Sequence, residues 1–230
     1  MGVVLFRILL IYHHTMSYRI YLFCYLLFLT TSAWAQRVVS DAKIVYKMVL
    51  PPEQLQLDQM LEGSSLTQYM KGAYSRIDIN FNIVNYTYLI NHKEETITTL
   101  IDQHGNKYMV KTDRQQYLKD MQQYEGIKFT DQPETKEIAG YKCRRAIGLM
   151  PDGKTFEVYY TPDLVPENKQ YNRRFMNLGG MPLEFEILTK TGEKMRVIAS
   201  RVELNPIPAS YFDVPKKGYK VVSQQELQNM

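Results

Sequence analysis

After residue 35 the chain alternates apolar and polar positions with a period of two over most of its length. Residues 43–49 place Ile44, Tyr46 and Met48 on one face, and residues 76–81 set Ile77, Ile79 and Phe81 opposite Arg76, Asp78 and Asn80. Tyr86, Tyr88 and Ile90 continue the pattern, as do Phe156, Val158 and Tyr160, and later Leu183, Phe185 and Ile187. Each run predicts a half-buried strand. Residues 96–101 and 107–111 flank Asp102-Gln103-His104-Gly105-Asn106, which reads as a hairpin with the glycine at a positive-φ position. Residues 134–139 and 141–149 are parted by Gly140, a second tight turn, and Pro151-Asp152-Gly153 and Thr191-Gly192 mark two more. A last strand is expected over residues 194–204.

Helical spacing is confined to short stretches. Residues 113–124 carry Tyr117, Leu118, Met121 and Tyr124 at helical intervals, with Asp113 placed to cap the N-terminus. Residues 53–61 follow Pro51-Pro52 and group Leu57, Met60 and Leu61 on one side, and residues 223–230 fit a frayed helical turn. About ten short strands in hairpin order with few helices predict a mainly β, α+β fold. Its expected form is a single curled antiparallel sheet, an unclosed half-barrel with lid helices.

The first 35 residues obey other rules. Arg19 precedes an apolar run from Ile20 to Leu29, and Ala33-Trp34-Ala35 supplies small residues just before Gln36. That order predicts a secretory signal peptide cut between Ala35 and Gln36, hence a periplasmic protein of one domain, residues 36–230. The apolar run is shorter than the roughly 20 residues of a membrane span. A second apolar stretch lies upstream, broken by Arg7, so the true start could be Met16. The competing reading is an uncleaved anchor formed from both stretches. Cys24 is preceded by bulky Phe23, which argues against a lipoprotein anchor.

Charge and composition then narrow the function. The formal net charge is +4, of which Arg7 and Arg19 in the leader carry two, so nothing suggests a grip on nucleic acid. Beyond the leader Cys143 stands alone, so no intramolecular disulfide is expected. Flanked by Lys142, Arg144 and Arg145, it reads either as a thiol of lowered pKa or, preferably, as a small core residue. His92 and His104 fall in a charged segment and a turn tip, without ligand spacing, so no metal site and no cofactor is expected. Glu184 and Glu186 share one side of a strand, yet they lie opposite apolar positions and should face water. No nucleophile elbow or phosphate loop occurs, and no catalytic residue is assigned.

Glu137-Ile138-Ala139-Gly140-Tyr141-Lys142-Cys143-Arg144-Arg145 resembles the strand–turn–strand of a family of secreted bacterial proteins of unknown function. Gly180-Met181-Pro182-Leu183-Glu184 and Pro208-Ala209-Ser210-Tyr211-Phe212-Asp213-Val214-Pro215, followed by Gly218-Tyr219, resemble its later segments. The first half is similar to the periplasmic lipoprotein carriers of the LolA/LolB type, through Tyr69-Met70-Lys71-Gly72, Arg76, and the hairpin from Ile101 to Lys111. Gly72-Ala73-Tyr74-Ser75 stands where those carriers have a proline before the arginine. The resemblance implies an unclosed barrel with helices over an apolar cavity. Arg76 would help hold the lid, and Tyr117 and Met121 would lie on a lid helix.

Two functions follow as expectations. The first is a soluble periplasmic carrier that holds a lipid or a lipoprotein acyl chain, with Ile77, Ile79, Phe81, Phe156, Val158 and Tyr160 lining the cleft. The second is an envelope interaction protein with a filled core, binding a protein partner through a strand edge or through the loop 162–177. In that loop Lys169, Arg173 and Arg174 would form a small basic patch.

Overall fold

The computed structural model describes residues 36–50, 63–188 and 194–228. The leader, the helix expected over residues 53–61 and the turn at Thr191-Gly192 lie outside the described residues. In chain order the strands begin β1 (Arg37–Val39), β2 (Asp41–Val49), β3 (Ser65–Lys71), β4 (Tyr74–Phe81), β5 (Val84–Asn91), β6 (Thr96–Gln103) and β7 (Asn106–Thr112). Helix α1 (Arg114–Met121) follows, then β8 (Lys128–Ile138), β9 (Tyr141–Leu149), β10 (Thr155–Thr161) and β11 (Leu164–Pro166). β12 (Met181–Leu188), β13 (Lys194–Glu203), β14 (Lys220–Val221) and α2 (Gln224–Gln228) complete the order.

Among the described residues twelve strands make one sheet in the order β14-β7-β6-β5-β4-β3-β2-β13-β12-β10-β9-β8, antiparallel except where β14 runs parallel to β7. β1 and β11 pair separately as a short parallel ladder. The sheet curls enough to bring β13 and β8 into contact although three strands separate them, yet its two edge strands do not join. The curled, unclosed antiparallel sheet expected from the alternation is the observed architecture. No helix among the described residues is long and apolar enough to cross a membrane.

The hairpins form where the turn chemistry allows. His104 and Gly105 both take positive φ, at 52° and 86°, and so do Ala139 and Gly140, at 50° and 82°. Such pairs match the twist of the strands they join. α1 starts where Asp113 Oδ1 accepts the Gln116 N–H, and a 3₁₀ turn from Gln122 to Tyr124 ends it.

Register decides which side chains share a face. The pairs Ile44–Gln68, Gln68–Ile77, Ile77–Tyr88 and Tyr88–Thr99 run across β2 to β6, and Met48–Val197, Val197–Phe185 and Phe185–Val158 run the other way. One continuous inner face therefore carries Ile77, Ile79 and Phe81 together with Phe156, Val158 and Tyr160. Residues 164–180, with 3₁₀ turns at Lys169–Tyr171 and Arg173–Phe175, cover the part of this face made by β2, β3, β9, β10, β12 and β13. There Leu164, Tyr171, Phe175 and Leu178 join Ile44, Tyr46, Val158, Leu183, Phe185 and Val197 in the main core. The opposite, outer face of β5–β7 holds a smaller core of Leu89, Leu100 and Met109 under Tyr219.

Candidate functional site

The two halves of the expected ligand cleft have different fates. Phe156, Val158 and Tyr160 are buried. Phe175 from the covering segment meets Phe156 edge-on at 6.2 Å and Phe185 at 5.0 Å, and Phe129 closes the cluster at 5.9 Å from Phe156. Tyr160 donates its hydroxyl to Asp131 at 2.9 Å, and Tyr46 donates to the Pro182 carbonyl at 3.1 Å. This half of the face is filled by the chain itself. Ile77, Ile79 and Phe81 are only half-buried at the margin of that core. They continue into a row of aromatic rings, with Phe81 edge-on to Tyr86 at 6.4 Å and Tyr86 stacked on Tyr88 at 6.4 Å. Desolvation holds the Tyr88 phenol above its ordinary pKa.

The covering segment is held by polar contacts the sequence did not disclose. Ser75 and His92 are buried, with Ser75 Oγ 2.8 Å from His92 Nε2 and 3.4 Å from the Tyr171 carbonyl oxygen. A serine has one hydroxyl proton, and the carbonyl can only accept. The tautomer with its proton on Nε2 satisfies both contacts: Ser75 donates to Tyr171, and His92 Nε2–H donates to Ser75. His92 Nδ1 is left a bare acceptor without a partner. Burial, with the Arg173 charge adding to it, pulls the imidazole down to about 4. A nucleophile–base pair would need the serine proton aimed at the histidine. The Ser75 hydroxyl is fully buried.

Arg173 and Arg174 correct the expectation of a surface patch. Arg173 donates to Glu95 at 2.8 Å and lies 4.9 Å from the Tyr117 ring centre, while Arg114 holds the other Glu95 oxygen at 2.8 Å. Arg114 and then Arg173 keep the Glu95 carboxyl below its usual range. The Arg174 guanidinium stacks 3.9 Å from the centre of Phe156, and burial lowers its pKa. These cations turn inward and pin the segment to α1 and β10, so they present no basic surface. Within α1, Tyr117 is buried under Arg173 and Met121 is half-buried.

Arg76 is placed differently from the role its family resemblance implied. It lies on the outer face, where Nε donates to Asp78 at 2.9 Å and a terminal nitrogen donates to the Tyr211 carbonyl at 3.0 Å. What it holds is the C-terminal segment, not a helix over the cleft. Glu184 also departs from expectation. Its side chain is 9% exposed, and Lys136 at 2.6 Å and Arg196 at 2.9 Å neutralise it from two sides. Desolvation pushes the Cys143 thiol up to about 12, which makes it the inert core residue preferred from its sequence context. Among the described residues no cluster of three or more His, Cys, Asp or Glu could hold a metal ion.

No family model matches the chain, and no curated protein matches it in sequence. Among solved structures it is similar to PNGF-II, at 14% identity over 83% of this chain and 33% of that one, with a TM-score of 0.47. It is also similar to MucB, at 11% identity over 77% and 58% of the two chains and a TM-score of 0.34. The MucA/MucB complex of Pseudomonas aeruginosa gives 11% identity over 79% and 58%, with a TM-score of 0.35. The chain thus spans a third of PNGF-II and under three-fifths of MucB, and likenesses this loose assign neither family nor function.

Proposed function

We propose that the chain is a non-enzymatic, exported binding protein that holds an acyl chain or similar apolar ligand on the inner face of β4 and β5. The observation that carries this reading is the contrast along one face. Where the face passes β10 and β12 it is sealed by Tyr171, Phe175 and Leu178, whereas Ile77, Ile79, Phe81, Tyr86 and Tyr88 stay half-buried. Covering an acyl chain gains about 0.8 kcal/mol per CH₂, so such a shelf needs no special polar residue. Tyrosines suit it because each ring offers an apolar body with a polar tip. Phe156, Val158 and Tyr160, expected beside them in the cleft, serve in this reading as the wall against which the shelf is built. The full burial of the Ser75 hydroxyl and the two ion pairs that occupy Glu184 support a role without catalysis.

The filled core also favours a second reading, an envelope interaction protein that binds a protein partner and no lipid. Delipidated protein titrated with a fluorescent fatty acid separates the two. The ligand reading expects saturable binding that Ile79→Asp weakens by at least about tenfold, with the circular dichroism spectrum unchanged. Absence of uptake by the unaltered protein, together with no co-purified lipid in native mass spectrometry, would leave the interaction reading in its place.

A further inference from the structure

The C-terminal segment crosses the outer face as a strap. The Ile207 N–H donates to Asp41 at 3.0 Å, Tyr211 lies on Tyr69 at 5.5 Å between ring centres, and the Val222 N–H donates to the Met109 carbonyl at 3.0 Å. Between Val214 and Val221 the strap stands off β7 and leaves a recess of about 400 Å³. Its floor is apolar, built from Met109, Val214, Pro215, Tyr219 and Val221, and its rim carries Lys111, Lys216 and Lys217.

Two properties of this surface have no use in the fold. Lys111, Lys216, Lys217 and the adjacent Lys220 are exposed and make no ion pair among the described residues. Lys107 alone is paired, to Asp102 at 3.6 Å, and its ammonium sits 6.0 Å from the Tyr219 ring centre. The acids nearby are few. Asp213 lies on the strap, and Glu226 is occupied by the Ser223 N–H at 2.7 Å while sensing Lys220. Beside the lysines, Val214 is 40% and Val221 63% exposed; further along, Tyr211 of the strap and Tyr74 of β4, which packs against Phe212, are exposed as well.

Unpaired lysines around exposed aliphatic and tyrosine side chains complement an anionic surface that has an apolar layer beneath it. We propose that this face seats the protein on an anionic lipid bilayer. The lysines meet lipid phosphates, and Val214, Val221 and Tyr211 enter the headgroup layer. A soluble acidic polypeptide would satisfy the lysines and leave the valines in water, so the bilayer accounts for both properties. Tyrosine suits that depth because it keeps its hydroxyl hydrated while its ring is buried. The proposal stands apart from ligand binding on the inner face, which lies on the other side of the sheet.

The test is flotation of protein processed in a Gram-negative host with vesicles of phosphatidylglycerol and phosphatidylcholine in equal parts, against vesicles of phosphatidylcholine alone. Any leader that is retained is common to all variants, so differences between them report the strap. Each lysine near an anionic surface multiplies partitioning about fivefold, so Lys216→Gln with Lys217→Gln should lower it about thirtyfold at low salt. Lys128→Gln with Lys142→Gln removes the same charge from β8 and β9 and should change it less than about twofold. Salt near 0.5 M should erase most of the lysine effect, and Val221→Ser should weaken binding at either salt concentration. Equal losses for the two lysine pairs would reduce the effect to net charge and overturn the proposal. Equal binding to both kinds of vesicle, or tighter capture by polyglutamate than by anionic vesicles, would overturn it as well.

Discussion

His92 is held neutral by a chain of donors that ends at a backbone carbonyl. Because Tyr171 takes the Ser75 proton, the imidazole can only donate to Ser75, and protonating Nδ1 would place a second cation beside Arg173 with no acceptor for it. The folded pKa, about 4, lies below the ordinary 6.5. The unfolded chain therefore binds the extra proton first. Stability is unaffected above pH 6.5 and falls as the pH drops from 6.5 toward 4, by about 3 kcal/mol in all. Urea unfolding followed from pH 7 to pH 5 should show this decline, and His92→Gln should flatten it. Equal slopes for the two proteins would mean that another group titrates there. Nothing in Asn91-His92-Lys93-Glu94-Glu95 announces a buried histidine, since its neighbours are polar or charged and exposed or half-exposed. Ser75 was more legible: it shares parity with Ile77, Ile79 and Phe81, which places it on the inner face.

At the scale of elements, alternation exposed most strands because one face of each is buried and the other is wet. It failed where a polar residue sits inside or the ladder slips. Gln68 is buried among Leu66 and Met70, which hides β3, and the bulge between Asp131 and Thr135, with Pro133 inside it, hides the first half of β8. The segment 164–180 was harder to read, because its arginines are buried against rings, where charge alone suggests a surface loop. Its return into β12 depends on Gly180. A Cβ there would lie 2.1 Å from the Thr161 carbonyl oxygen, a backbone atom of β10 that cannot swing aside, whereas one at Gly179 would meet only the Tyr160 ring at 3.6 Å. Gly180→Ala should cost about 1–3 kcal/mol in urea unfolding, and Gly179→Ala less than about 0.5 kcal/mol. A neutral Gly180→Ala would show that the segment can lift from β10 at little cost. Such looseness would reopen the half of the inner face that holds Phe156, Val158 and Tyr160.

For the whole molecule, hairpin order in the sequence implied an open sheet but not how its halves meet. The joint is the pairing of β2 with β13, about 150 residues apart along the chain, and local pattern carries no trace of it. An open sheet has two edges, and an unpaired edge invites other strands. β8 guards one with its bulge and Pro133, which lacks an N–H to offer. The other edge, β7, is guarded by the strap, through β14 and the Val222 N–H, while Tyr219 covers Leu89, Leu100 and Met109. Ending the chain after Val214 removes both protections at once. It frees the backbone of β7 and bares three apolar side chains, each worth about 2 kcal/mol when buried. The shortened chain should keep its far-ultraviolet circular dichroism, because among the described residues none beyond Leu204 belongs to the main core, yet should sediment as larger species than the full chain. Replacing Leu100 and Met109 by lysine in the shortened chain should reverse that association, since charge on an edge and its face disfavours pairing. If the shortened chain sediments like the full one, β7 needs no guard, and the strap's remaining purpose is the surface formed by its lysines and valines.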